Sequence, residues 1–447
     1  MKIRRTIALF AAMGVLVVTA LFMHTGRPVD KNSLPTLSPR GGEANSSTEY
    51  LNAQRAAQYY RDEIRKKPDE VKNYVELAQI FLHEARVTAN HHEYIPKARL
   101  VLEEALRRDP ENLEALVTRA SMLMTLHQFA QAREILENVS SKNPYNAACF
   151  NTMIDAYVEL GDYEHAVSTC DKLMSIRPDL RGYARVSYLR EMHGDNFGAR
   201  EAMKMAADAG IRGQEQRSWA LYNLGSLYLR EGKLDTAEFI FKGTLEERPD
   251  YPYALSGLAQ VRFDHGRNDD AIELLTKALE IAPEHLFMEQ LVAIYRTTGQ
   301  AENATKIAKL VLQSFEQHDR DGWNVDREYA LFCADNDMNL PEALQRAKRE
   351  YERRPNNIDA SQTYAWLLYK NGFAHEAVPY IEQAMHLHSH SALLEYRAGA
   401  IFNAAGEGNE AKLHLRQALS IDPFISGLYA HEAQKALASL RTLAANN

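Results

Sequence analysis

Prolines recur along this chain at a fixed interval, and that interval constrains the fold more than any other feature. They stand at Pro110, Pro144 and Pro178, and again at Pro249 and Pro283, with 34 residues between neighbours in each group. A constant period of this length indicates that one supersecondary unit is stacked repeatedly, because a single unit cannot bury its apolar face alone. The chain of 447 residues is therefore predicted to form one long repeat array.

One copy of the unit has small and bulky residues where two packed helices require them. Gly225 and Ala237 are small where the helices would cross, and Phe241 would fill the space between neighbouring units. Gly232 is placed to end the first helix, since glycine readily adopts the left-handed conformation found there. Pro249 would stop the second helix, because proline lacks the amide hydrogen that a continuing helix needs.

The same register extends in both directions from this copy and predicts about ten helix-turn-helix units. Weaker copies, in which the small residues persist but the bulky ones drift, lie at 181–212, 285–316 and 324–355. A capping helix is expected over 48–66 and a closing helix near 425–440. The first unit is eight residues too long. We expect the excess to form a loop around 87–94, because a helix in the stack would lose packing partners if it lengthened.

The copy that ends at Pro249 closely resembles the tetratricopeptide repeat, and the resemblance covers about 48–440. It implies an all-α fold, a right-handed α-solenoid with capping helices at both ends. The first helices would line a concave groove, and members of this family generally hold peptides or other proteins there. No reaction follows from the resemblance.

Motifs for catalysis and for nucleic-acid binding are missing from the sequence. It contains no Walker phosphate loop, no Gly-x-Ser-x-Gly elbow and no Cys-x-x-Cys pair. A net charge of −8 also disfavours nucleic acid as a partner. We therefore predict a non-enzymatic interaction scaffold without a cofactor, whose partners are proteins or peptides. The sequence carries no signal for an oligomeric state.

The N-terminus has the pattern of a membrane anchor. Lys2, Arg4 and Arg5 precede Thr6–Met23, an uncharged run of 18 residues. As a helix this run would extend about 27 Å, which is enough to cross a bilayer. We predict a signal-anchor or transmembrane helix over 1–25. The positive charge before it places the body outside the cytoplasm, in a periplasm or cell envelope.

The rest of the chain divides by composition into a linker, a body and a tail. A stretch rich in Pro, Gly and Ser over 26–47 predicts a flexible linker. The solenoid with its caps is expected over 48–440, followed by a tail over 441–447. Cleavage of the N-terminal segment remains an alternative because small residues occur at 18–20, and the protein would then be secreted.

Helical spacing predicts which side chains line the groove. Aromatic residues at the inward positions of the first helices are candidate partner-binding residues: Tyr188, Trp219, Tyr222, Tyr253, Phe263, Trp366, Tyr369 and Tyr396. Six of them form two clusters from consecutive units, with polar residues between them: Trp219 and Tyr222 with Tyr253, and Trp366 and Tyr369 with Tyr396. Because aromatic rings also stack on sugars, an alternative function is an envelope-biogenesis accessory that contacts a polysaccharide or its synthase and export machinery.

Three patches contain residues that can bind metals, but a structural role explains each one as well. They are the alternating His386, His388 and His390, the group His83, His91, His92 and Glu93, and the stretch 317–328, which partly matches a calcium loop. We predict no metal at any of them. Cys149 and Cys170 lie on the two helices of one unit. They are expected to be reduced core thiols, and a disulfide between them is the alternative.

Overall fold

The computed structural model describes residues 34–40 and 47–446, with side chains up to residue 440. Every regular element in these ranges is an α-helix. In chain order they are α1 (Thr48–Lys66), α2 (Val71–Thr88), α3 (His91–Arg108), α4 (Leu113–Thr125), α5 (Phe129–Lys142), α6 (Ala147–Leu160), α7 (Tyr163–Ile176), α8 (Leu180–Met192), α9 (Asn196–Asp208), α10 (Glu215–Leu229), α11 (Leu234–Glu247), α12 (Pro252–Asp264), α13 (Asn268–Ile281), α14 (His285–Thr297), α15 (Ala301–Arg320), α16 (Asp326–Asp335), α17 (Leu340–Arg353), α18 (Ile358–Lys370), α19 (Ala374–Ala384), α20 (Ala392–Ala404), α21 (Gly408–Ile421) and α22 (Ala430–Asn446).

These helices form ten helical hairpins that stack in sequence, with α1 and α22 covering the two ends. Each even-numbered helix from α2 to α20 is the first helix of a unit, and the odd-numbered helix after it is the second. Each hairpin packs against the next one, so the apolar core runs continuously along the stack. The predicted fold class, the number of units and both capping helices are confirmed.

The packing inside the array follows the predicted roles of small and bulky residues. Phe241 on α11 is completely buried. A β-carbon added at Gly225 or at Gly257 would lie 2.5 Å from a carbon of the Phe241 ring, so only glycine fits beside it. Gly232 ends α10 with a φ of 67°, a left-handed conformation that glycine adopts without strain. One large ring therefore fills the space that two glycines leave between adjacent units.

The first unit departs from the expected loop insertion. Helices α2 and α3 have 18 residues each, whereas α4 has 13 and α5 has 14. Only Ala89 and Asn90 connect the long pair, and Ala89 has a φ of 55°. The prediction of a loop over 87–94 is therefore wrong. The extra turns pack on parts of the chain outside the neighbouring unit, so the two helices lengthen without losing buried contacts.

One such partner is the segment 34–40, which packs on the first unit in an extended conformation. The Arg40 guanidinium lies 2.6 Å from the Glu84 carboxylate, and both side chains are almost fully buried. Leu34 and Leu37 are partly buried against the apolar cluster that contains the core of the first unit. The prediction of a flexible linker is wrong for these residues, because a buried ion pair and two leucines hold them in place.

The predicted ends of the chain have different outcomes. The anchor predicted over 1–25 lies outside the described residues. Within the described ranges, no helix combines the length and the apolar character needed to cross a membrane. At the other end, α22 continues to Asn446, so residues 441–446 extend this helix and do not form a separate tail.

Units that are far apart in sequence also touch, because the solenoid winds until its successive turns meet. The Nδ2 atom of Asn357 donates a hydrogen bond of 3.1 Å to the carbonyl of Val158, and the Ile358 amide donates one of 2.9 Å to the Tyr163 hydroxyl. Further close approaches of this kind join the pairs Leu126 and Asn324, Gly194 and His388, Gly232 and Pro423, and Phe263 and Gly427. The first helices thus face a shared space, here termed the interior.

Candidate binding surface in the interior

The eight aromatic residues predicted to line the groove differ in their exposure. Tyr188 on α8 is 41% exposed and Trp219 on α10 is 37% exposed. Tyr222, Tyr253 and Tyr369 are partly buried. Only the first two therefore present a large ring surface to a ligand.

Three of the predicted residues belong to the core, which corrects the prediction that they contact a partner. Trp366 is 2% exposed, and its indole N–H donates a hydrogen bond of 2.9 Å to Asp335. Tyr396 is 5% exposed and stacks on Tyr429 with ring centroids 4.7 Å apart. Phe263 is 9% exposed. A small rotation of a helix exchanges a groove position for a packing position, and spacing alone does not fix that rotation.

Tyr222 and Tyr253 come together as predicted residues of consecutive units, with ring centroids 5.6 Å apart. The Tyr253 hydroxyl donates a hydrogen bond of 2.6 Å to Glu284. Burial raises the pKa of the Glu284 carboxyl and of both tyrosine hydroxyls. This part of the interior wall therefore combines an aromatic surface with a carboxyl group shielded from water.

Charged groups from several first helices converge near Tyr188. Arg327 on α16 lies 3.5 Å from Glu328 and 3.7 Å from Asp359, and both separations are too long for strong hydrogen bonds. The Arg327 Nε and Glu328 Oε2 atoms are buried and have no hydrogen-bond partner. Although the Tyr188 ring is 41% exposed, desolvation raises the pKa of its hydroxyl well above the usual value, and the charges of Asp359 and Glu159 raise it further. No sequence motif marks Arg327 or Asp359, and only the contact between successive turns brings the Glu159 charge close to them.

A carboxyl group without a cationic partner also faces this space. Glu289 on α14 is partly buried, and burial raises its pKa to about 7, with Asp335 and Glu328 as further causes. By contrast, Asp155 on α6 is paired with Arg185 at 2.5 Å. The interior wall therefore offers unused hydrogen-bonding capacity beside exposed aromatic rings.

The lengthened first unit also borders a cavity of about 1920 Å³, which shares Glu284 and Glu328 with the interior wall. Segment 34–40, the ends of α2 and α3 and the loops that open α10, α12 and α14 form its wall, together with the end of α15. Six of the chain's 16 histidines line it: His83, His91, His92, His127, His285 and His318. Ten carboxylate residues and five lysine or arginine residues also line it. The excess of eight residues in the first unit was the only sequence signal for this cavity.

Four of these histidines and a tryptophan form one aromatic group. The ring centroid of His318 lies 4.7 Å from that of His92, 4.8 Å from that of His285 and 4.8 Å from that of Trp323. The His91 ring lies 5.1 Å from the same tryptophan. Helices α3, α14 and α15 supply the histidines, so the group joins the first unit to the seventh.

The structure also places the residues that were candidates for a metal site or a disulfide. No three His, Cys, Asp or Glu side chains in the described ranges are placed to hold a metal ion. Helix α15 runs to Arg320, so residues 317–320 are helical and do not form a calcium loop. Cys149 and Cys170 are buried free thiols. Burial raises their pKa values to about 12 and about 11, respectively, so both are protonated at neutral pH.

Comparison with known proteins identifies the repeat type. The tetratricopeptide repeat model matches residues 123–191 and 228–293. Protein CTR9 homolog of Arabidopsis thaliana is 24% identical over 231 residues, which make up 49% of this chain and 21% of that protein. Cellulose synthase operon protein C of Pseudomonas fluorescens (strain SBW25) is 24% identical over 168 residues, or 36% of this chain and 13% of that protein. The chain thus spans about a fifth or less of the length of these relatives.

Solved structures give a likeness of fold alone. The APC/C hetero-tetramer Cut9-Hcn1 is 14% identical to this chain, with a TM-score of 0.45, and the match covers 88% of this chain and 76% of that one. The helical hairpins, their 34-residue period and the matching family model agree with one another. The chain is an all-α solenoid of helical hairpins, and two of its segments match the tetratricopeptide repeat model.

Proposed function

We propose that this chain is a non-enzymatic scaffold that holds a protein or peptide partner against the interior wall of its superhelix. The observation that carries the proposal is the exposure of Tyr188 and Trp219 on consecutive first helices, with the charged group of Arg327 near Tyr188. Aromatic rings supply contact area to a bound chain, and polar groups fix its backbone. Repeat solenoids commonly present such extended concave surfaces to their partners.

The contact between successive turns favours an extended partner over a folded one. The backbone of Gly161 lies against that of Asn356, and similar contacts follow along the same junction. The side of the superhelix is closed at these points, so a partner would enter from an end. An extended segment meets this requirement and can satisfy polar groups along the whole wall.

Proximity labelling in the source cell tests the scaffold function. The test variant carries Tyr188→Ala and Trp219→Ala, and circular dichroism should show that it remains folded. The matched control is Phe239→Ala, which removes a ring that is 78% exposed on the second helix of the same unit as Trp219. We expect specific proteins to disappear from the labelled set of the double variant only. Identical sets for wild type and double variant would contradict binding in the interior.

We further propose that residues 1–25 anchor the chain in a membrane with the repeats outside the cytoplasm. The apolar run Thr6–Met23 and the basic residues before it support this proposal. Resistance of the full chain to alkaline carbonate extraction would support anchoring, and protection from protease in intact spheroplasts would contradict the orientation. A secreted form that lacks the segment would instead support cleavage.

A second candidate function is contact with a polysaccharide or its export machinery. The match to cellulose synthase operon protein C and the exposed rings of Tyr188 and Trp219 favour it. Titration calorimetry with cellohexaose is a direct test. Heat of binding that Trp219→Ala removes and Phe239→Ala preserves would support this candidate. No binding by the wild type would count against cellulose-like chains as ligands.

A further inference from the structure

The cavity beside the first unit is closed by two polar contacts between distant parts of the chain. His92 Nδ1 on α3 is hydrogen-bonded to the Asp321 carboxylate at the end of α15. His127 Nδ1, in the turn before α5, donates a hydrogen bond of 2.8 Å to the Asn324 carbonyl. The Asn324 amide also donates one of 3.1 Å to the carbonyl of Leu126. These contacts hold the first two units against the connection between the seventh and eighth.

We propose that His91, His285 and His318 at this junction form a pH-sensitive clasp, which is closed when these three are neutral and opens when they are protonated. The clasp would control access to the interior, and that consequence rests on the proposed function. The opening itself is a property of the chain and can be measured without any partner.

The clasp depends on three histidines that line this cavity: His318 is 8% exposed, and His91 and His285 are partly buried. Burial lowers the pKa of His91 and of His285 to about 4 and that of His318 to about 2. Neighbouring histidines lower these values further, and no carboxylate is among the causes. Protonation would therefore place like charges on rings less than 5 Å apart in the pairs that include His318.

The carboxylates nearest to the junction already have other partners. Asp321 pairs with His92, and Glu328 lies 3.8 Å from His127. Further groups face the cavity from the other elements, and each has its own contact: Glu284 with Tyr253, Glu93 with Lys97 and Asn90, Glu49 with His83 and Arg248, and Arg40 with Glu84. Among the described residues, no carboxylate forms an ion pair with His91, His285 or His318, so charge on these three would have no direct counter-ion.

The sign of the pH dependence follows from the lowered pKa values. An exposed histidine has a pKa of about 6.5, so opening raises the proton affinity of each of the three groups. The closed form is fully favoured above about pH 6.5 and loses stability as the pH falls toward 4. At pH 5.5 each histidine shifts the equilibrium toward the open form about tenfold, and three acting together shift it about a thousandfold.

Distance measurement by electron paramagnetic resonance tests the clasp on the full chain in detergent micelles. Spin labels at Ala130→Cys and Lys309→Cys would lie on exposed positions of α5 and α15, on opposite sides of the junction. The three natural cysteines are buried, which keeps the labelling specific. We expect one short distance at pH 7.5 and an added longer distance at pH 5.0. The same distribution at both pH values would overturn the proposal.

Neutral substitutions identify the responsible groups. A variant with His91→Gln, His285→Gln and His318→Gln should keep the short distance at pH 5.0. His165→Gln changes an exposed histidine elsewhere and should open like the wild type. Opening of the triple variant at pH 5.0 as in the wild type would refute the clasp. If the triple variant fails to fold, His318→Gln alone should reduce the pH-dependent shift at pH 5.0 about thirtyfold, and an undiminished shift would equally refute it.

Discussion

Substitution of Gly161 should show how much the contact between successive turns contributes to stability. Gly161 ends α6 with a φ of 76°, and a β-carbon added there would lie 2.3 Å from the carbonyl carbon of Asn356. That neighbour is backbone and cannot rotate away. Gly266 ends α12 with a φ of 73° and has no atom within 4 Å of the same β-carbon position. Gly161→Ala and Gly266→Ala therefore introduce the same backbone strain, but only Gly161→Ala also places a β-carbon against the backbone of Asn356.

The two substitutions should lower the free energy of unfolding by different amounts. A β-carbon in the left-handed conformation costs about 1–2 kcal/mol, and Gly266→Ala should lose only that much. Gly161→Ala also forces the turns apart, and overpacking of this kind typically costs a further 1–3 kcal/mol. The nearby hydrogen bonds from Asn357 and Ile358 to the third unit would weaken as well, at about 1 kcal/mol each.

Urea unfolding followed by circular dichroism gives the free energies, and hydrogen exchange locates the change. We expect Gly161→Ala to lose about 4–7 kcal/mol. Amide exchange should accelerate in two segments that are distant in sequence, 158–163 and 354–358. Equal destabilisation by both substitutions, or faster exchange in 158–163 alone, would show that the turns do not support each other.

Other predictions concern buried charges and the aromatic residues. Glu84→Gln leaves the buried Arg40 with only the more distant Glu49, at 3.9 Å, as a carboxylate partner among the described residues, and should cost about 3–5 kcal/mol in urea unfolding. The double variant Arg40→Met with Glu84→Leu should recover most of the loss, and equal losses would argue against a buried pair. Burial raises the pKa of Asp264 from 3.8 to about 7, so this carboxyl destabilises the fold increasingly as the pH rises between these two values. Asp264→Asn should therefore raise the melting temperature at pH 8 and not at pH 4. The same change at both pH values would exclude titration of Asp264 as the cause. In thermal unfolding, Trp366→Ala should lower the free energy of unfolding by about 3–5 kcal/mol and Trp219→Ala by at most about 0.5 kcal/mol. The reverse order would mean that Trp219 belongs to the core and Trp366 to the surface.

The repeat architecture could be predicted from the sequence because its signals are local. The glycine at 232 and the proline at 249 act on the helix that each ends, and neither needs a distant partner. Gly225 and Phe241 belong to the same unit, so their packing also follows from one stretch of sequence. Period and residue size were therefore sufficient for the fold class and the number of units.

The binding surface was predictable only in part, because it depends on helix rotation and on contact between turns. Trp366 occupies a groove position by spacing, yet its indole reaches Asp335 in the preceding unit and is buried. Arg327 carries no recognisable motif. It becomes notable only where the α16 helix meets charges from α18 and α6, more than 30 and 160 residues away in sequence. No local pattern encodes such a neighbourhood.

The structure of the lengthened first unit was also predictable only in part. The eight-residue excess was visible, but its location in two helices was not. A longer helix needs a surface to cover, and that surface comes from segment 34–40 and the later units. The same geometry brings together histidines that seemed unrelated in the sequence, such as His91 and His318.

Contact between successive turns changes how such an array should fold. In an open solenoid each unit senses only its immediate neighbours, so stability propagates along one dimension and the ends can fray. Here the third unit also supports the connection between the eighth and ninth, at a separation of about 195 residues. Pairings of such high contact order slow folding, and they couple units that would otherwise melt separately. A chain built from short local repeats should therefore unfold with the cooperativity of a globular domain.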